Sequence, residues 1–132
     1  MLNIFPDLLV YGFFAPTILR VAVALAFFFG AYVQCVRVRE LSQLRFPLVG
    51  GGAWIIWPSI ATHAVIGLMF FFGYYTQIAA ILGIASSVKG LIYVKKYPRL
   101  FPLRRVDYLF LLVICASLLL SGAGALAMDL PL

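Results

Sequence analysis

The sequence predicts an all-α membrane protein, a four-transmembrane-helix antiparallel bundle with a short N-terminal interfacial helix. Three observations predict it. Of the 132 residues, 65% are hydrophobic and 11% charged, with a mean hydropathy of +1.11, which is more apolar surface than a soluble domain of this size can bury. The apolar residues fall into four long stretches, each close to the ~20 helical residues that cross a ~30 Å hydrocarbon core. The positive charges sit almost entirely in two of the connections between those stretches.

Taken in order, Phe5 to Gly12 reads as a short helix, with Pro6 near its start and Gly12 at its end. It is too short to span and belongs in the outer interface. The stretch Met1 to Phe14 has no positive n-region and carries Asp7, so it reads as retained rather than as a cleaved signal peptide. The first span covers about 15–35, with Pro16 in its first turn, where a missing N–H costs nothing. The second covers about 53–74 and the third about 76–93, so close together that they must form an antiparallel hairpin. The fourth covers about 106–125, and the whole of 1–132 forms a single transmembrane domain.

Charge gives the orientation. The first long connection holds Arg37, Arg39 and Arg45, and the second holds Lys95, Lys96, Arg99, Arg104 and Arg105; only Arg20 and Lys89 lie elsewhere. Four antiparallel spans place both connections on one side, and the tendency of Lys and Arg to stay inside makes that side cytoplasmic. Both termini are then outside, with Asp7 and Asp129 as the charges there. A formal charge of +6 would suit nucleic acid only if it were spread over a polar face, so nucleic acid is not an expected partner; the lipid bilayer is. Trp and Tyr favour membrane interfaces. Tyr32, Trp54, Trp57, Tyr93, Tyr97 and Tyr108 fall near the inner boundary in this topology, and Tyr11, Tyr74 and Tyr75 near the outer one. The segments around Arg45–Gly52 and Tyr97–Pro102 read as flexible surface segments on the inner headgroups.

Ionisable groups inside a membrane are functional candidates. Arg20 is five residues into the first span, about 7 Å deep, where it can snorkel or pair with Asp129 or Asp7 as a clamp on the first helix. His63 sits mid-way along the second span beside Thr62 and one turn from Ser59; it reads as a satisfied core histidine, with a proton or quinone site as the alternative. Lys89 reads as snorkelling toward Asp107 or Glu40. Arg20, His63 and Asp129 together form the candidate polar site. Cys35 and Cys115, 80 positions apart, read as buried inert thiols. Small residues recur every fourth position at Ala22, Ala26 and Gly30, and again at Ala79, Gly83 and Ser87, marking helix-packing seams through which a homodimer is also conceivable. The echo of Phe27–Gln34 in Phe70–Gln77 reads as coincidental, since the topology sets the two near opposite surfaces. No catalytic constellation, phosphate loop or metal-ligand set is visible.

Leu19-Arg20 opening the first span and the closing run Ser121-Gly122-Ala123-Gly124-Ala125-Leu126-Ala127-Met128-Asp129 resemble the DoxX family of small bacterial membrane proteins. Gly122, Gly124 and Asp129 match the family's GPG-x-x-S-x-D pattern, while Ala123 and Ala127 stand where it has Pro and Ser. The resemblance implies a four-span protein of the bacterial inner membrane, an accessory subunit of a redox complex, with quinone as the associated cofactor and a redox protein as partner. Physically, the Gly122-Ala123-Gly124 break is expected to end the last helix and let Asp129 return to Arg20, a pair that closes the outer mouth of the bundle. The alternatives are a small-solute or lipid-handling protein with a polar cleft at Arg20, and a scaffold acting through its basic loops.

Overall fold

The structure, a computed structural model, describes residues 11–12, 14–43, 45–46, 50–51, 53–98, 101–122, 124 and 127. The fold is all-α. Helix α1 covers Ala15–Val36, the one-turn α2 covers Val38–Leu41, α3 covers Ala53–Phe72, α4 covers Thr76–Tyr93 and α5 covers Arg105–Ser121. Between α2 and α3 two strands of two residues each, β1 (Arg45–Phe46) and β2 (Gly50–Gly51), pair antiparallel with Arg45 opposite Gly51. The described residues of that connection, expected as a flexible lead-in, thus carry one short antiparallel pairing. The expected interfacial helix at 5–12 lies almost wholly outside the described residues; Tyr11 and Gly12 form part of a 3₁₀ turn ahead of α1.

The helix ends follow local chemistry. Pro16 lies in the first turn of α1. α3 stops where Gly73 adopts φ +64°. The Tyr74 N–H then donates to the Met69 carbonyl at 3.0 Å and the Gly73 N–H to the Phe70 carbonyl at 3.3 Å, the paired bonds of a Schellman cap. Tyr75 follows in the left-handed region at φ 48° and starts α4. The Asp107 carboxylate accepts the Arg104 N–H at 2.9 Å at the start of α5, where a negative group also suits the helix dipole. α5 ends at Ser121, because Gly122 turns to φ +77°, four residues short of the expected end at Ala125.

α1 packs chiefly along α3 and α4 along α5, and the two pairs close into a bundle through α1 with α5 and α3 with α4. All four helices meet at Gly83: a Cβ there would lie 2.8 Å from Cys115 Sγ, 3.4 Å from the Phe70 ring and 3.6 Å from the Phe27 ring. The Phe27 and Phe70 rings stack at 6.3 Å and Phe28 meets Phe71 at 6.4 Å. The two Phe-rich segments thus cross within one layer of the core instead of lying near opposite surfaces.

The small-residue seam on α4 is used as expected, with Ala79, Gly83 and Ser87 all buried. It extends to Gly90, against which the Tyr108 ring lies. The α1 seam is shifted: Ala22 is exposed, and the buried stripe runs through Val23, Phe27, Gly30 and Gln34. Both seams are filled inside the bundle, so the outward surfaces carry larger apolar side chains.

One aromatic residue differs from its expected place. Phe101 is buried edge-to-face against Tyr108 at 5.9 Å, so with Leu41 the pair plugs the basic end of the bundle, and Phe101 does not lie on the surface. Cys115 is buried, whereas Cys35 is exposed, because its neighbour Gln34 takes the core-facing position.

Candidate functional site

The antiparallel packing sorts the charges. Exposed Arg37 and Arg39 beyond α1, Lys95 and Lys96 beyond α4, and Arg104 and Arg105 at the head of α5 share one end of the bundle. Arg45 lies in β1 at the same connection, and Arg99 falls outside the described residues. Lys89 is exposed on α4, and Lys96 Nζ sits 5.7 Å over the Tyr97 ring. The opposite end holds Pro16, Thr17, the Gly73–Tyr75 turn and the glycines that follow α5.

Arg20 belongs to that opposite end and is 2% exposed. Its guanidinium fills the space beside Gly73, with Cζ 2.7 Å from where a Gly73 Cβ would be. The same point is 2.9 Å from the Ala127 Cα. Gly124, at φ +71°, leaves no room for a Cβ, which would sit 2.8 Å from Pro16 Cβ and 3.1 Å from Thr17 N. Gly124 therefore lies against the start of α1, and Ala127 lies at the α3–α4 turn beside Arg20. Asp129, expected to pair with Arg20, and Asp7 lie outside the described residues.

His63 belongs to a second layer. A Cβ on Gly30 would lie 3.4 Å from its ring, and Gly30 is ten residues along α1 from Arg20, about 15 Å of helix. The structure does not bring Arg20 and His63 together. The His63 ring donates from Nδ1 to the Ser59 carbonyl at 2.8 Å. That leaves Nε2 as an acceptor, which the Ser86 hydroxyl of α4 approaches at 3.4 Å. The Ser59 hydroxyl in turn donates to Gln34 Oε1 of α1 at 3.1 Å. The result is a polar thread, Gln34–Ser59–His63–Ser86, that links α1, α3 and α4 through groups needing partners in an apolar interior.

The sequence marked His63 and Ser59 but gave no pairing with Gln34 or Ser86, which lie 25 and 23 positions from their partners. The one available signal was that Gln34 and Ser86 are polar residues inside apolar runs. In the seam between α4 and α5, the buried Ser87 Oγ has no hydrogen-bond partner. Among the described residues no three His, Cys, Asp or Glu side chains are grouped to hold a metal ion.

Among the described residues two helices, α1 and α4, are long and apolar enough to cross a membrane, with 39% and 33% of their most apolar windows buried, and α3 carries an apolar run over Ile56–Phe72. Comparison of the chain with protein-family models, with curated proteins and with solved structures gives no match.

Proposed function

We propose that the chain is a four-span protein of the bacterial inner membrane, with its basic end in the cytoplasm and both termini outside, serving as a DoxX-like accessory subunit of a membrane redox complex without a complete catalytic site of its own. The observation that carries the membrane reading is the outward surface. Ile18, Leu25 and Phe29 on α1, Val65 and Leu68 on α3, Ile81 on α4, and Phe110 and Val113 on α5 are all exposed. An apolar belt around every long helix, bounded at one end by arginines and lysines, fits hydrocarbon and not water. α5, with 17 residues, reaches about 26 Å, a short span that a locally thinned bilayer accommodates.

Cysteines placed at Ser42 and at Tyr75, in a Cys35→Ser background, test the topology. An impermeant maleimide applied to intact cells should label the Tyr75 position, and the Ser42 position only after permeabilisation. Labelling of both positions from one side refutes the four-span arrangement.

The accessory and quinone-associated role rests on the resemblance of Leu19-Arg20 and of Gly122, Gly124 and Asp129 to DoxX proteins. A His63 ring whose two nitrogens are both engaged within the bundle supports the satisfied core histidine and leaves no ring nitrogen for a quinone at that position. Purification in mild detergent should bring down an oxidoreductase or a bound quinone; a preparation with neither removes the redox role and leaves the membrane reading standing. The burial of Arg20 beside Gly73 and Ala127 supports a structural clamp over an open solute cleft.

A further inference from the structure

The first turns of α3 present a shallow, open groove of about 520 Å³ along one helix face, lined by Trp54, Trp57, Pro58 and Ala61. The lining is almost entirely apolar. Trp54 is 88% and Trp57 56% exposed, so two large indoles stand out from the bundle beside Pro58 and Ala61. Pro58 has no N–H to give the Trp54 carbonyl, so a backbone acceptor at the rim lacks its helical donor.

The groove opens at the basic end. α2 packs on α3, held by buried Leu41 and half-buried Val38, with Arg37 and Arg39 exposed beside it. Glu40 is exposed there too, but Lys95, Lys96, Arg104 and Arg105 at the same end leave the local charge strongly positive.

We infer that this groove binds an anionic phospholipid, with an acyl chain between Trp54 and Trp57 and the phosphate on Arg37 and Arg39. The inference rests on the membrane-spanning reading above. Charge selects this occupant: a second copy in the same membrane orientation would set two basic ends side by side, whereas an anionic headgroup neutralises them. Indoles, apolar in body with one N–H donor, favour the headgroup depth at which such a ligand sits.

Trp54 and Trp57 are the chain's only tryptophans, so intrinsic fluorescence reports from the groove alone. The protein is reconstituted in phosphatidylcholine vesicles containing a fixed fraction of either chain-brominated phosphatidylglycerol or chain-brominated phosphatidylcholine. The expected result is an apparent association with the anionic lipid about fivefold stronger, of the order one arginine contributes at a charged surface. In the Arg37→Gln/Arg39→Gln variant, still monodisperse in detergent, the two lipids should quench equally. Equal quenching in the unsubstituted protein overturns the lipid site but leaves the chain in the membrane. Quenching that falls as protein density rises overturns it in favour of a second copy. No quenching by either lipid overturns the membrane-spanning reading itself.

Discussion

The guanidinium of Arg20 occupies the space that a side chain on Gly73 would need, so a charged residue of the first long helix and a turn residue after the second close one end of the bundle together. Gly73 meets two demands there, a backbone at φ +64° and room for Arg20. Gly122 meets only the first, at φ +77° with nothing within 4 Å. Gly122→Ala should therefore lose roughly 1–2 kcal/mol, the left-handed penalty alone. Gly73→Ala should lose about 1–3 kcal/mol more, from overpacking. Thermal unfolding in mild detergent, read from the monodisperse elution peak, compares the two, and equal losses would show that Arg20 and the Ala127 backbone yield to a Cβ at Gly73 without cost.

The polar thread makes a smaller prediction. Hydrogen bonds between helices in a membrane average about 0.6 kcal/mol. A double-mutant cycle of Gln34→Leu and Ser59→Ala should return a coupling of about that size by denaturant titration in detergent. Zero coupling would mean that the 3.1 Å contact contributes nothing.

Ser87 should behave in the opposite way. Its buried hydroxyl has no partner, so Ser87→Ala removes a desolvation cost and should raise stability by about 1 kcal/mol. A loss in the same unfolding assay would contradict the unpaired hydroxyl.

At Gly90 the obstacle is a ring. A Cβ there would sit 2.6 Å from Tyr108 Cε1, so Gly90→Ala should cost about 1–3 kcal/mol. Tyr108→Phe keeps the ring and should not relieve that loss, while Tyr108→Val should, giving a non-additive double variant. Additive losses would show that the two residues do not touch.

Much of this arrangement was legible in the sequence because the breakers are local. Apolar runs set the long helices, Pro16 fits a first turn, and Gly73 and Gly122 end helices wherever the chain lies. The place of Arg20 near one end of the first helix was legible for the same reason; its seat against Gly73 was not, since docking of α1 on α3 creates it. Facing partners were hidden generally. Nothing near His63 in the chain points to Ser86, and the phase of the buried stripe on α1 depends on which neighbours the helix meets, so Ala22 and Cys35 turned outward. Phe101 was misplaced because an aromatic residue beside basic residues reads as a surface residue until tertiary contacts show it folded inward.

The cover over Arg20 also has a place in time. Gly124 and Ala127 emerge from the ribosome more than one hundred residues after Arg20, so α1 must fold with this cation unsheltered while the rest of the chain is made. The far end of the bundle is therefore the last part to close. Until then nascent chains hold Arg20 in a setting unlike the finished one, and a substitution at Gly124 would act mainly on completion of the fold, after all four long helices have formed.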